Sequence, residues 1–328
     1  MATRFGRRSF LAGMLALPLL AACSDDDTPD DTPPPASTSP STRPAASWQQ
    51  RAPLPTPRSE VASAVLDGKI YIAGGFDGSG RSTAVLEAYD PAADRWETRA
   101  PMPAPRDHAM AAAHAGRLFV FGGGFGQATR ETFAYDPSSN AWTSLVVMPL
   151  RRTAGGAAVL GDRIIVVGGT GDDPEATMVF DPSAATWSLG PALPAPREHL
   201  AVASTGSVVY VIGGRWENEL KSTSEELGSL TGSWRRLPDL PTARGGTAGG
   251  VAGGRIYVAG GEAFDPSRTF PQVESFDPAA GAWISEPDLP TPRHGLAVQG
   301  VGTTLYVIGG GPTAGLSVSP QNEALQVG

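Results

Sequence analysis

The chain has very little cysteine and lysine. Cys23 is the only cysteine in 328 residues, which excludes an internal disulfide framework. Lysine occurs only twice, and the formal net charge is −8. Because no basic stripe with interleaved aromatic residues appears, nucleic acid is a poor candidate partner.

Common catalytic motifs are also missing. The chain has no Gly-x-Ser-x-Gly elbow, no His-Glu-x-x-His pair, no Gly-rich loop followed by Lys-Ser or Lys-Thr, and no Cys-x-x-Cys. The sequence therefore gives no ground for a cofactor or a metal, and none is predicted.

Long hydrophobic runs are absent, and the one apolar run, residues 10–22, is too short for a permanent bilayer-spanning helix. It follows three arginines and ends in LAAC at Cys23, which resembles the lipobox of bacterial lipoproteins. That resemblance implies cleavage before Cys23 and acylation of its sulfur. We interpret residues 1–22 as a signal peptide, in which Arg7-Arg8 also resembles a twin-arginine export signal.

Residues 23–46 are rich in Asp, Pro, Ser and Thr and contain almost nothing apolar to bury. Such a composition predicts a disordered tether. We therefore expect an exported protein that is lipid-anchored in the bacterial cell envelope, on the periplasmic or the surface side, and that contacts the membrane through Cys23.

Residues 47–328 carry an internal repeat with a period of 45 to 49 residues, the mark of a repeat architecture. Each repeat has an Arg, a Gly-Gly pair sixteen residues later, and a Trp. The Arg positions are Arg58, Arg106, Arg152, Arg197, Arg244 and Arg293, and the Trp positions are Trp48, Trp96, Trp142, Trp187, Trp234 and Trp283. We expect the tryptophans to pack between repeats. We expect the arginines to form hydrogen-bonded forks between neighbouring repeats. A basic ring of arginines that binds an anionic ligand is the weaker interpretation.

Each repeat has room for four short strands, and no segment shows a sustained helical period. Four-stranded units at this spacing are typical of propeller blades. The repeat region begins with a Trp strand, and its last repeat has no periodic Trp after Gly-Gly. The prediction is an all-β, six-bladed propeller with four-stranded blades, in which the strand at Trp48 completes the last blade beside residues 325–327.

The order Pro-Arg, Gly-Gly, Tyr-Asp-Pro, Trp resembles the kelch repeat over residues 47–328. Repeat four departs from it, with Leu227-Gly228 in place of Tyr-Asp, so its outer strands are expected to be less regular. Some kelch propellers are copper-radical oxidases similar to galactose oxidase, and these need a Tyr–Cys cross-link. The only cysteine lies outside the repeats, which excludes that chemistry.

Polar residues follow the repeat Arg in several blades. His108, His199 and Glu60 come two residues after it. His294, Asp107 and Glu198 come one residue after it. The following strand should be innermost, so these side chains are expected near one mouth of the central channel. They either cap turns or bind a ligand; spacing alone does not support a metal site.

Loops after Gly-Gly vary most in length, and such loops often form the binding face. That face should carry Arg81, Phe125, Arg215, Trp216 and Glu217. Trp216 is the only tryptophan outside the repeat position, which favours a contact role.

The stretch from Glu262 to Arg268 places a carboxylate directly after Gly-Gly and an arginine six residues on. It resembles the corresponding stretch of bacterial sialic-acid mutarotases, which are exported six-bladed kelch propellers. The resemblance implies that Glu262 transfers protons and that Arg268 holds the substrate carboxylate.

Three functions remain open at this stage. The first is a membrane-anchored module that binds a glycan, a peptide or a protein through the loops on one face. The second is a mutarotase or epimerase acting on sialic acid or a related acidic sugar. The third is a protein-interaction scaffold in the cell envelope. Because a fold does not specify chemistry, the binding module is the leading interpretation, and enzymatic activity is not predicted.

Overall fold

The computed structural model describes residues 47–328, which form strands and turns arranged as a six-bladed β-propeller. The predicted signal peptide, the lipidation site at Cys23 and the tether lie outside the described residues. Within residues 47–328, no helix is long and apolar enough to cross a membrane.

Each blade is an antiparallel sheet of four strands. From the innermost strand outwards, the blades comprise Ala62–Leu66, Lys69–Ala73, Leu86–Asp90 and Arg95–Arg99; Met110–His114, Arg117–Phe121, Thr132–Asp136 and Ala141–Ser144; Gly156–Leu160, Arg163–Val167, Met178–Asp181 and Thr186–Leu189; Ala201–Ser204, Val209–Ile212, Ser224–Leu227 and Arg235–Arg236; Ala248–Ala252, Arg255–Ala259, Val273–Asp277 and Ala282–Ser285; and Ala297–Val301, Thr304–Ile308, Asn322–Gln326 and Trp48–Gln50. The outermost strand of blade 4 has only two residues, as its irregular sequence predicts.

Three short two-stranded pairings lie in the loop regions, and the last two of them are hairpins. They pair Arg152–Thr153 with Thr170–Gly171, Arg215–Trp216 with Glu219–Leu220, and Glu262–Phe264 with Ser267–Thr269.

The N-terminal strand closes the ring. Trp48 lies opposite Leu325, and Gln50 lies opposite Glu323, so the first described strand completes the last blade. The innermost strand of blade 6 also contacts that of blade 1. This confirms the predicted six-bladed fold and its closure, which leaves no open sheet edge at the join.

The core is divided into six apolar clusters, each filled from two neighbouring blades. The second strand of each blade is buried on both faces, as the adjacent residues Ile70 and Tyr71 show, which explains its continuous β-branched and aromatic sequence. Each repeat tryptophan donates its indole N–H to a carbonyl of the chain segment that links the preceding blade to its own blade, for example Trp96 to Ala52 at 2.8 Å. The tryptophans therefore join blades, as predicted.

Four of the six repeat arginines are fully buried against a glutamate. The pairs are Arg58–Glu87, Arg197–Glu225, Arg244–Glu274 and Arg293–Glu323. Each glutamate lies on the third strand of the blade that its arginine precedes, so the predicted fork between blades is wrong: the arginine joins strands of one blade. These arginines have no exposed surface for an anionic ligand.

Blades 2 and 3 lack that glutamate. Phe133 and Met178 occupy the equivalent positions. Arg106 therefore turns towards the partly exposed Glu131 at 2.9 Å. Arg152 stays buried and donates to the backbone carbonyls of Asp173 and Ala176.

Removing one partner of a buried ion pair should destabilise the propeller strongly. Glu274→Ala leaves the buried guanidinium of Arg244 without its carboxylate, so we expect the free energy of unfolding to fall by about 3–5 kcal/mol in chemical denaturation. Glu226→Ala is the control, because its partner Arg235 is 68% exposed and the loss should be less than about 1 kcal/mol. Equal losses for both variants would contradict this assignment.

Candidate functional site

A closed ring of six backbone hydrogen bonds surrounds one mouth of the channel. The ring positions are the residues two places after each repeat Arg and two places before the start of each innermost strand. Each N–H donates to the carbonyl of the ring residue in the preceding blade, over 2.7 to 2.9 Å. In ring order the residues are Glu60, His108, Ala154, His199, Gly246 and Gly295.

All six ring residues have left-handed backbone conformations, with φ between 50° and 65°. This conformation costs a non-glycine residue on the order of 1–3 kcal/mol. Glu60, His108 and His199 nevertheless occupy it. Polar side chains held in strained backbone conformations cluster at functional sites. This mouth of the channel is therefore the candidate functional site.

The two glycines of the ring make room for side chains from neighbouring positions. A Cβ on Gly295 would lie 2.4 Å from Glu60 Oε1, and a Cβ on Gly246 would lie 3.2 Å from the Cβ of His294. In blade 6 the ring position is Gly295, where a side chain would clash with Glu60, and the histidine is the residue before it, His294.

Three imidazoles converge on the carboxylate of Glu60. His108 Nε2 lies 3.4 Å and His199 Nε2 lies 3.9 Å from Glu60 Oε2. His294 Nε2 lies 3.6 Å from the other oxygen, Oε1, and also 3.6 Å from Glu262 Oε2. The three histidines and Glu262 are buried. The structure thus brings together all three histidines that the sequence singles out after the repeat Arg.

The other nitrogen of each imidazole is bound to an acceptor. Nδ1 of His108 lies 2.7 Å from a carboxylate oxygen of Asp107, and Nδ1 of His199 contacts the carboxylate of Glu198. Nδ1 of His294 lies 3.0 Å from the carbonyl oxygen of Gly311. Carboxylates and carbonyls only accept hydrogen bonds. The proton of each neutral ring is therefore on Nδ1, and the Nε2 lone pair faces the cluster.

Arg215 bridges two carboxylates of the cluster. It donates to Glu198 at 2.6 Å and to Glu262 at 2.8 Å. The second oxygen of Glu262 accepts the backbone N–H of Gly315 at 2.8 Å. These bonds hold Glu262 against the cluster.

Electrostatics opposes desolvation within the cluster. Burial favours the neutral acid at Glu60, but attraction to His108, His199, His294 and Arg215 outweighs it, so the pKa of Glu60 is lowered. Burial favours the neutral ring at His108, but Glu60 and Asp107 outweigh it, so the pKa of His108 is raised. Both shifts favour an anionic Glu60 facing a positive charge.

A pocket of about 260 Å³ opens above this cluster. Its walls are apolar: Phe125, Phe264 and Leu316 are 67%, 49% and 64% exposed. Phe125 stacks on the ring of His108 with 5.1 Å between centroids, and Phe264 lies 4.9 Å from the guanidinium carbon of Arg215. The pocket thus combines an ionisable floor with an aromatic rim.

Two family models of kelch repeats match the chain. The model described as the KLHDC2/KLHL20/DRC7 Kelch-repeats domain matches residues 37–169, and the Kelch motif matches residues 196–241 and 243–290. The chain belongs to the kelch-repeat family. No curated protein sequence matches it.

The kelch fold is also seen in solved structures. A chain titled "Structure of YjhT" is 20% identical and superimposes with a TM-score of 0.70, over 84% of this chain and 98% of that one. At this identity the likeness shows the fold alone.

Several of the residues that the sequence singles out do not line the pocket of this kelch propeller. Arg81 is 81% exposed and contacts Asp77, and Glu217 is exposed in a hairpin turn whose strand holds the half-buried Trp216. Arg268 pairs across its hairpin with Ala263, so its side chain is on the side away from Glu262. Its guanidinium instead lies 4.7 Å from the ring centre of Phe270.

The pocket also uses residues that sequence analysis did not select. Phe76, Phe264 and Leu316 line it. Asp107 and Glu198, which the sequence places at the same channel mouth, orient two of the histidines. Phe76 follows Gly-Gly directly, as Arg215 and Glu262 do. The position directly after Gly-Gly therefore lines the pocket in blades 1, 4 and 5, whether its residue is aromatic or charged.

Gly295 should be indispensable for the position of Glu60. Gly295→Ala adds a Cβ that clashes with the Glu60 carboxylate, whereas Gly302→Ala has a similar φ of 61° but no neighbour within 4 Å. Both variants should lose about 1 kcal/mol or more through the left-handed backbone. We expect Gly295→Ala to lose clearly more in chemical denaturation, and equal losses would show that Glu60 tolerates displacement.

Proposed function

We propose that this kelch propeller binds a small polyhydroxyl ligand, the size of one sugar ring, in the pocket at the channel mouth. The observation that carries the proposal is the aromatic rim above a floor of buried carboxylates and imidazoles. A volume of about 260 Å³ is just below the range of about 300–1,000 Å³ for drug-sized ligands, and suits a single ring better than a protein segment.

The chemistry of the pocket matches that of a sugar. Faces of Phe125 and Phe264 can pack on the C–H face of a pyranose. Carboxylate oxygens of Glu60 and Glu262 accept hydrogen bonds from hydroxyl groups. Apolar walls with a few convergent polar groups are the usual design of a small-molecule site.

Charge favours a neutral sugar over an acidic one. Glu60, Asp107, Glu198 and Glu262 provide four negative charges against one positive charge on Arg215, which leaves −3 if the imidazoles are neutral. An anionic ligand would meet this field without a cation to offset it.

A peptide or protein ligand would use more of the loop face, including Arg81, Trp216 and Glu217. The same holds for a role as an envelope scaffold. The two kinds of ligand would contact different residues. A sugar in the pocket contacts Phe125, which lines it, whereas a peptide or protein on the loop face also contacts Trp216, which lies outside the pocket lining.

Two aromatic variants distinguish these ligand classes. Saturation-transfer NMR with a panel of neutral and acidic monosaccharides should identify a binder, and Phe125→Ala should weaken its affinity at least about tenfold because the stacking surface is lost. Trp216→Ala, on the same face, should leave sugar affinity unchanged. If no monosaccharide binds, or if only Trp216→Ala weakens the binding of a partner, the pocket proposal fails.

Sialic-acid mutarotation is a second candidate, favoured by Glu262, which lies buried between Arg215 and His294. Glu262 would take the proton of the anomeric hydroxyl while a neighbouring acid returns one to the ring oxygen. Arg215 is the guanidinium that contacts Glu262, whereas Arg268 faces away, so the substrate carboxylate would need a different partner from the one that the sequence resemblance implies.

Glu262→Gln tests this candidate. The amide keeps the shape but cannot take a proton, so the interconversion of sialic-acid anomers should fall to the uncatalysed rate in NMR exchange measurements. His114→Gln, outside the pocket lining, is the control. A wild-type protein that does not accelerate the interconversion rules the candidate out.

We further propose that the protein is exported and anchored to the membrane by acylation of Cys23, so that the pocket lies outside the cytoplasm. The lipobox-like sequence supports this. Cys23→Ser should move the protein from the membrane fraction to the soluble fraction on cell fractionation, and a wild-type protein already in the soluble fraction would contradict it.

A further inference from the structure

We propose that His108, His199 and Glu60 bind one divalent transition-metal ion at the floor of the pocket. Their donor atoms lie within 4.8 Å of one another. Two imidazoles and a carboxylate suit Zn²⁺, Mn²⁺ and Fe²⁺, whereas Mg²⁺ and Ca²⁺ prefer all-oxygen sites. The site requires no sugar, so it does not rest on the proposed ligand.

The distances match a metal site without large movement. Ligand atoms about 2.0–2.1 Å from a tetrahedral ion lie about 3.3–3.4 Å from one another. His108 Nε2 is 3.4 Å from Glu60 Oε2, and His199 Nε2 is 3.9 Å from the same oxygen. Both nitrogen–oxygen distances are thus within about 0.6 Å of the spacing in a tetrahedral site.

The hydrogen bonds on the far side of each ring direct the lone pairs inward. Asp107 and Glu198 accept from the Nδ1 atoms of His108 and His199, which leaves both Nε2 lone pairs facing the Glu60 oxygen. With neutral rings, three acceptors face one another, and their repulsion is relieved either by a proton on an imidazole or by a metal cation between them. A carboxylate that orients the imidazole in this way is the usual outer contact of a metal-binding histidine.

The carboxylates of Asp107 and Glu198 are themselves held by hydrogen bonds. Asp107 accepts hydrogen bonds from the hydroxyl of Ser82 and from the backbone N–H of Phe125. Glu198 accepts from Arg215. The backbone ring fixes the main chain of His108 and His199, and the two carboxylates fix their Nδ1 atoms. The orientation of each imidazole is therefore set in the absence of an ion.

Charge provides a second, independent reason. With neutral imidazoles, the state that can bind a metal, the cluster carries the formal charge of −3 described above, and Glu60 is only 12% exposed. Buried negative charge needs a positive partner, and Arg215 is already shared by Glu198 and Glu262. A divalent ion would neutralise most of the excess.

A second trio, Glu60, His294 and Glu262, also has donor atoms within 4.8 Å of one another. Glu262 already accepts from Arg215 and from the N–H of Gly315, and a guanidinium at 2.8 Å repels a cation. The ion is therefore assigned to His108 and His199. Its remaining coordination positions face the pocket, where ligand hydroxyl groups could reach it.

The test uses the full chain, stripped with a chelator and titrated with Zn²⁺ by calorimetry. We expect one ion per chain with a dissociation constant in the micromolar range or tighter. His108→Gln and His199→Gln should each weaken binding at least tenfold, and Asp107→Asn should weaken it about 10- to 100-fold through the orientation of His108. His114→Gln and Cys23→Ser should leave the affinity unchanged, which excludes binding by His114 or by the thiol.

Circular dichroism of each variant confirms folding, and the wild-type titration stands even if a variant unfolds. Absence of stoichiometric Zn²⁺ uptake by the stripped wild type would overturn the proposal, as would wild-type affinity in a folded His108→Gln/His199→Gln variant. In that case, nitrogen NMR showing both imidazoles doubly protonated would identify the cluster as an ion-paired network. Sugar binding that persists without metal would leave the pocket proposal intact.

Discussion

The ring of backbone hydrogen bonds at the channel mouth is the constraint on which the site depends. It joins the six blades at the point where each innermost strand begins, and it requires a left-handed backbone at every ring position. A side chain at such a position has little freedom to move away, since its backbone is bonded on both sides. The ring therefore turns a repeated structural feature into a rigid holder for Glu60, His108 and His199.

The contacts that recur from blade to blade stabilise the propeller, whereas the positions that differ between blades form the candidate site. Interblade clusters, indole bonds and buried Arg–Glu pairs recur around the ring and are alike in kind. By contrast, the six ring positions differ from blade to blade, with alanine in blade 3 and glycine in blades 5 and 6. Small residues on one side of the ring leave space into which Glu60, His294 and Glu262 extend. The asymmetry of the ring thus shapes the pocket.

Sequence periodicity was sufficient for the fold, because the landmarks keep their order in every repeat. It was also sufficient to place three histidines at one mouth, since their spacing from the repeat Arg is constant or differs by one. It could not give the direction of Arg268, which depends on the register of a short hairpin. Nor could it reveal that the arginines bind glutamates of their own blade, because that contact joins residues about 30 positions apart across three strands.

The imidazole tautomers were likewise beyond sequence reasoning, and they determine what the cluster can do. Asp107 and Glu198 each precede a histidine in the chain, yet adjacency does not require contact between neighbouring side chains. In the left-handed backbone of the ring, each acid bonds to the ring of the histidine that follows it. With Nδ1 protonated in this way, the Nε2 atoms are available either for protons or for a metal ion. The same backbone strain that closes the propeller thereby directs two lone pairs at one carboxylate.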